Sequence, residues 1–232
     1  MYQRSDSEDT LFVDRRAAGK ALGASLADLH VECSCVIGLT RGGVPVAFEV
    51  ASELGVPLDI IVVKKLRAPE SEELAIGAVC ADGARVLHRG TIGLLGVSDE
   101  YIARETETRL QEAQESEAFF RQQYPALDLT GSSVVLVDDG VATGSTMEAA
   151  VVSARKRGAR SVTVAVPVGS GRALRALEDV ADQVLFVARP VDFWAVGQFY
   201  LHFPQVSDEE VLQFLEQSQR TTEASGKVAG PA

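Results

Sequence analysis

One local pattern recurs along this chain: a short apolar run, a polar or glycine-bearing turn, then a stretch whose apolar residues return at helical spacing. Val36–Leu39, Leu58–Lys65, Ser133–Asp138, Ser161–Val166 and Asp182–Val187 are the apolar runs. Their centres, such as Ile60-Ile61-Val62-Val63, suit strands covered on both faces, and a parallel sheet with helices packed on it provides that cover. The spacing predicts helices over Asp14–Leu29, with Asp14 as its cap, and over Pro45–Leu54, with proline in the first turn. Further helices are expected from Ser145, from Ser170, and over Asp208–Gln217, with a disordered tail from Arg220. The fold class is therefore α/β: a mainly parallel open sheet flanked by helices.

Residues 66–98 interrupt the alternation. Arg67–Glu73 reads as a polar loop, Ala75–Val79 and Ala84–His88 as a hairpin about Asp82-Gly83, and Ser98 to about Tyr124 as one long helix. That helix carries seven acids between Asp99 and Glu117, read as a solvated face. Glu105 and Arg109 on it read as a surface pair, and Arg155-Lys156-Arg157 as a basic last turn facing a helix dipole. Gly169-Ser170-Gly171 reads as a turn.

Composition narrows the function. The 232 residues hold 22 Lys and Arg against 33 Asp and Glu, a formal charge of −11. Such a balance disfavours a polyanionic polymer or an acidic lipid surface as partner. Cys33, Cys35 and Cys80 form no even-numbered framework and read as inert thiols. His30, His88 and His202 lack metal-ligand spacing, so no protein-held metal is expected. The polar, acidic beginning and the lack of a membrane-length apolar run suggest a soluble, cytoplasmic protein.

The segment Val134–Met147 carries the chemistry. It is an apolar strand, two carboxylates (Asp138, Asp139), then Gly140-Val141-Ala142-Thr143-Gly144-Ser145-Thr146 opening a helix. Ligands of open α/β sheets bind beyond the carboxyl ends of the strands. The backbone N–H groups of Thr143–Thr146, the helix N-terminus and the hydroxyls of Thr143, Ser145 and Thr146 can together hold a phosphate. Carboxylates repel phosphate but accept hydrogen bonds from a ribose diol, so the segment reads as a sugar 5-phosphate site. It lacks the lysine of a Walker A loop and does not match G-x-G-x-x-G.

This segment resembles the signature of type I phosphoribosyltransferases, which bind phosphoribosyl diphosphate through an apolar strand, two acids and a T-G-x-T loop. The likeness extends over about residues 12–215. It implies a single domain over 12–218, with a hood at about 188–206, flexible tails at 1–11 and 219–232, and a homodimer. Thr40-Arg41-Gly42-Gly43 is similar to the family's diphosphate loop, where a non-proline cis peptide is expected around Thr40–Gly42. Arg41 would pair with diphosphate oxygens. Lys64 and Lys65 end the second strand; alternation lets only one reach the site, with Lys65 favoured. The resemblance makes Asp138, Asp139, Arg41 and Lys65 the catalytic candidates. Mg²⁺ would be carried mainly by the substrate diphosphate, and the small-molecule partners would be phosphoribosyl diphosphate and a nitrogenous base.

In the expected hood, Phe193-Trp194-Ala195-Val196-Gly197 is similar to the aromatic-x-V-G element of purine-type enzymes. Trp194 is the first candidate for stacking on the base, Phe193 the second, with Val196 beside them. Two departures matter: hypoxanthine/guanine enzymes carry acids where this chain has Ala142 and Leu201. The acceptor base stays open. Alongside an enzyme stand a non-catalytic phosphoribosyl diphosphate or nucleotide-binding regulatory module and a hydrolase using water as acceptor.

Overall fold

The computed structural model describes residues 11–69 and 71–226. Helix α1 (Arg15–Asp28) starts where Asp14 accepts from the Ala17 N–H at 2.8 Å. Strand β1 (Cys35–Leu39) then leads into α2 (Gly43–Leu54) and β2 (Leu58–Ile61). An insertion follows, made of β3 (Val63–Ala68), β4 (Ser71–Cys80), β5 (Arg85–Leu87), α3 (Arg89–Leu95) and α4 (Asp99–Arg121). After it come β6 (Ser133–Val137), α5 (Ser145–Lys156), β7 (Ser161–Val168), α6 (Gly171–Glu178), β8 (Gln183–Ala188) and α7 (Asp208–Gly226). Five strands pair in parallel in the order β2-β1-β6-β7-β8. The expected α/β architecture is therefore the observed one.

Alternation along each strand explains the two-sided cover. Ile37, Leu136 and Val164 point into one core with Met147, Ala150 and Ala154 of α5 and Leu174 and Leu177 of α6. Val36, Val135 and Ala165 point the other way, against Leu22 and Leu26 of α1, Val46 and Val50 of α2, and Val211 and Leu215 of α7. Both faces exclude water, which is why these runs are continuously apolar. Leu136 is wholly buried, so Leu136→Ala is expected to cost about 2–5 kcal/mol in a urea melt.

The insertion departs most from the sequence reading. Leu58–Lys65 is not one strand. The chain leaves the parallel sheet after Ile61, and β3 opens a separate antiparallel sheet with β4 and β5. The cause is visible in the residues: apolar continuity ends at Val63, and Lys64-Lys65-Leu66 begins an in–out alternation that a sheet buried on both faces cannot take. The expected loop Arg67–Glu73 is shorter than read, since strands run to Ala68 and resume at Ser71. The hairpin does turn at Asp82-Gly83, with Gly83 at φ +82°. The short helix α3 was missing from the sequence reading; α4 was expected, and Ser98 caps it. The insertion has its own small core of Leu66, Ile76, Val79, Ile92 and Ile102.

Several charged residues read as solvated are built in. Glu105 accepts from the Arg67 backbone N–H at 3.0 Å and from Arg109 at 2.8 Å, so it joins α4 to β3 and is no mere surface pair. Arg157 is the C-cap residue of α5, yet it reaches Asp59 at 3.1 Å, and Arg121 of α4 reaches the same carboxylate at 2.6 Å. Asp59 is buried between two arginines. Asp59→Ala is expected to cost about 3 kcal/mol, because it strands two guanidiniums that the fold has largely withdrawn from water; a melt of the variant checks this. At the C-terminus, α7 continues past Arg220 to Gly226, where a disordered tail was expected. Thr221 Oγ1 donates back to the Gln217 carbonyl at 3.0 Å, one turn earlier in this polar sequence. Residues 1–10 and 227–232 of the expected tails lie outside the described residues.

Candidate active site

Two loops meet beyond the C-terminal ends of β1 and β6, which are neighbours in the sheet. Here the strand order reverses from one side of the sheet to the other, and a crevice results. Thr40–Gly42 is the first loop; its Thr40–Arg41 peptide is cis, within the stretch where one was expected. The second loop, Asp138–Gly144, ends in α5.

Small residues make the close approach possible. A Cβ on Gly42 would overlap Asp139 Oδ2, and one on Gly43 would lie 2.7 Å from the Val137 carbonyl and 2.8 Å from Asp138 Cα. Neither glycine needs a left-handed backbone for this; proximity alone demands it. Gly144 has the other requirement, at φ +89°, as the residue that turns the chain into α5. The first bond of α5 runs from the Glu148 N–H to the Gly144 carbonyl at 2.8 Å. The N–H groups of Ser145, Thr146 and Met147 thus have no partner within the helix. Thr143 Oγ1 lies 3.3 Å from Ser145 Oγ at the same end. This is the geometry of an anion site.

The rest of the second loop is tied down. Val141 pairs with Gly169, and Ser170 Oγ donates to the Ala142 carbonyl at 2.7 Å while capping α6. The Gly169-Ser170-Gly171 turn thereby braces the second loop. Gly140 has room for no side chain, because Val196 and Val168 close on it. Val196 belongs to the irregular segment after β8, so that segment, where the hood was expected, packs against this loop.

The two carboxylates differ. Asp138 is half-buried, and its Oδ1 accepts the Asp139 backbone N–H at 2.9 Å. Burial, then the charge of Asp139, push its carboxyl well above the usual range. Asp139 is buried and pairs through Oδ2 with Arg15 Nε at 2.9 Å. Burial also raises its carboxyl, while the Arg15 guanidinium and Lys65 pull it down. Tyr200 donates to the Asp139 carbonyl at 2.6 Å. Burial and the nearby Asp139 charge push the Tyr200 phenol far up, so it stays a donor. The sequence reading missed Arg15 and Tyr200. Their signal was faint, an arginine just inside a capped helix and a tyrosine in an aromatic stretch, and only folding brings them 124 and 61 residues along the chain to Asp139.

The cations are spread around the acids. Lys65 is exposed, and its charge bears on both carboxylates. Lys64, on the opposite face of β3, lines a small polar cavity of about 180 Å³ with Thr40, Arg41, Ser116 and Asp208. The two lysines thus face different sides of β3, as alternation requires: Lys65 lies toward the carboxylates and Lys64 lies beside Thr40 and Arg41. The Arg41 guanidinium is 48% exposed and lies 3.6 Å from Asp208, the first residue of α7. A larger cavity of about 590 Å³ touches Ala142, Thr143 and Ser145 and is walled by Phe193, Arg172, and His88 of the insertion. Phe193 lines it, and Trp194, the first candidate for stacking, stands 88% exposed outside it. The two aromatics thus stand differently: Phe193 faces this cavity and Trp194 faces solvent.

The remaining candidates fall away. Cys35 and Cys80 are buried and Cys33 is half-buried; all three are free. Burial pushes the Cys33 and Cys35 thiols up to about 12 and about 11, so they lack the thiolate character of reactive cysteines. Among the described residues no three His, Cys, Asp or Glu side chains cluster to hold a metal ion. None of the described helices is long and apolar enough to cross a membrane.

Comparison with known proteins gives the family. The pattern described as a phosphoribosyl transferase domain matches residues 16–203. Two proteins of Mycobacterium tuberculosis, from strains CDC 1551 and H37Rv, are named provisionally as phosphoribosyl transferases. Each is 43% identical over 226 residues, covering 96% of this chain and 50% of the relative. This chain thus spans half the length of those relatives. The crystal structure of TT1426 from Thermus thermophilus is 42% identical, with a TM-score of 0.75 over 89% of this chain and 98% of that one. With the family pattern over residues 16–203 and relatives 43% identical over nearly the whole of its length, this chain belongs to the phosphoribosyl transferases.

Proposed function

We propose that this protein transfers a phosphoribosyl group from phosphoribosyl diphosphate to a nitrogenous base. The observation that carries the reading is the meeting of the two loops, which brings the start of α5 and two carboxylates together with Lys65 nearby, while Arg41 and Lys64 stand beside the first loop. In this reading the first turn of α5 and the hydroxyls of Thr143, Ser145 and Thr146 hold the 5-phosphate. Asp138 and Asp139 accept from the ribose diol, and Arg41, Lys64 and Lys65 face the diphosphate. The base nitrogen's lone pair bonds the anomeric carbon as the carbon–oxygen bond breaks, its electrons leaving with diphosphate. Charge builds on the leaving group and on an oxocarbenium-like sugar, so fixed cations, fixed carboxylates and close placement do the catalytic work.

Mg²⁺ fits this site as a passenger. Asp139 is engaged by Arg15 and Asp138 by a backbone N–H, each through one oxygen, so the ion would be held mainly by the diphosphate, with at most the remaining carboxylate oxygens beside it. When bound on the diphosphate, the ion would offset the negative charge of the leaving group. A homodimer and a cytoplasmic location go with the family reading; light scattering and cell fractionation test them.

Diphosphate release on mixing phosphoribosyl diphosphate, Mg²⁺ and one of a panel of bases is the expected result. Absence of release across a broad panel, with tight binding retained, would favour the regulatory module. Ala142 and Leu201, standing where hypoxanthine/guanine enzymes carry acids, give that second reading its support. Ribose 5-phosphate formed without any base would show water as the acceptor.

The Arg41–Asp208 pair makes a finer test. Asp208 holds in the free protein a cation that diphosphate needs. Asp208→Asn is expected to tighten binding of Mg²⁺–phosphoribosyl diphosphate, by no more than about fivefold because the pair is half exposed. Calorimetric titration reads this, and the gain should shrink with added salt.

A further inference from the structure

Arg15 lies outside every motif recognised in the sequence and outside the matched residues 16–203, yet its side chain is among the most enclosed at the site. Nε donates to Asp139 Oδ2 at 2.9 Å and Nη1 donates to the Pro204 carbonyl at 2.6 Å. The guanidinium lies 3.7 Å from the centre of the Phe203 ring. Nη2 lies 3.4 Å from the point where a Gly42 side chain would begin. One residue of α1 therefore touches the second carboxylate and the segment that follows β8, and its guanidinium stands close beside Gly42.

We propose that Arg15 is a positioning residue of the phosphoribosyl site: it holds one oxygen of Asp139, leaving the other to accept from the ribose, and links that hold to the hood through Pro204 and Phe203. This rests on the phosphoribosyl reading above. The physical case begins with burial. A carboxylate placed here without a cation would be costly to keep charged and would favour its neutral form, which accepts poorly. The groups facing Asp139 are Asp138 beside it, Arg15 from α1, Lys65 from β3 and the Tyr200 hydroxyl from the hood. Of the two cations only Arg15 is bonded to it, and Lys65 stands in water. A guanidinium also does what an ammonium cannot, since its planar fork serves Asp139, Pro204 and the aromatic face together.

The test is titration calorimetry with phosphoribosyl diphosphate and Mg²⁺ between about pH 5.5 and 8.5, on wild type and three variants. Arg15→Met is expected to weaken binding at least about tenfold at neutral pH, with the acid limb of the affinity profile moved to higher pH. Arg15→Lys, which restores the charge without the fork, should recover part of the affinity and return the acid limb toward wild type. Leu22→Ala, a buried truncation on the same helix, lowers stability without touching Asp139 and should leave the profile in place. Arg15→Met binding with wild-type affinity and profile would overturn the proposal. So would Leu22→Ala shifting the profile equally, since that would make Arg15 merely structural. A wild-type protein that binds no phosphoribosyl diphosphate would overturn the functional reading itself, and is recognised before any variant is made.

Discussion

Asp138→Asn is expected to remove turnover by roughly 10²–10³-fold, as loss of an aligned polar group in an active site commonly does, while leaving the protein more heat-stable at about pH 8 than wild type. The two halves have one cause. Asp138 is held where burial and Asp139 oppose its charge, so the folded protein keeps a proton that the unfolded chain gives up. Stability then falls as pH rises from the ordinary carboxylate range, near 3.8, through the raised folded value. Asparagine keeps the acceptor for the Asp139 N–H and carries no charge. The melting temperatures of variant and wild type should therefore converge toward about pH 4 and separate as pH rises. Asp138→Asn with Asp139→Asn should abolish turnover altogether, though the second change leaves Arg15 buried without its anion and costs stability. Thermal melts across pH beside diphosphate-release assays check both statements. Full activity in the double variant would count against the assignment of the acids.

Gly43→Ala is the second large effect. The added carbon would sit 2.7 Å from the Val137 carbonyl and 2.8 Å from Asp138 Cα. Both neighbours are backbone, in the central strand of the sheet and at its end, so neither can swing aside as a side chain would. The expected cost is about 3 kcal/mol, at the upper end for overpacking. It should come with loss of phosphoribosyl diphosphate binding, because the two loops are forced apart. Gly90→Ala is the control: nothing lies within 4 Å of the added carbon, and α3 should gain up to about 1 kcal/mol from the better helix former. Urea melts of the pair, with calorimetric titration of any folded Gly43→Ala protein, distinguish a packing role from an incidental glycine.

What was legible in the sequence follows a simple rule. Signals carried by neighbouring residues could be read: the alternation that specifies a parallel sheet, Asp14 as a helix cap, Ser98 as the start of the long helix, the Asp82-Gly83 turn, and the strand-to-helix loop from Asp138 to Thr146. Signals that depend on what the chain meets after folding could not. Ile61 and Val63 look continuous, yet they belong to different sheets, because only tertiary partners decide where a β-branched run breaks. Arg15, Tyr200 and Asp59 are single residues whose meaning is a distant contact. The two hood aromatics were ordered by resemblance, and the backbone between Asp192 and Gln198 turns Phe193 inward and leaves Trp194 in water.

The net charge of −11 also finds a local explanation. On the proposed reading an anionic substrate would approach a protein of like charge, and Arg41, Lys64, Lys65 and the start of α5 would act on it over a few ångströms. Charges farther away are screened over about 8–10 Å at ordinary salt.

The central claim is that this crevice takes phosphoribosyl diphosphate. Calorimetric titration of the wild-type protein with phosphoribosyl diphosphate, with and without Mg²⁺ and beside the Asp138→Asn, Asp139→Asn double variant, tests it most directly. Saturable, one-site binding that Mg²⁺ strengthens and the double variant loses is the expected result. Equal binding by the double variant, or no heat of binding to the wild type with Mg²⁺ present, would contradict it.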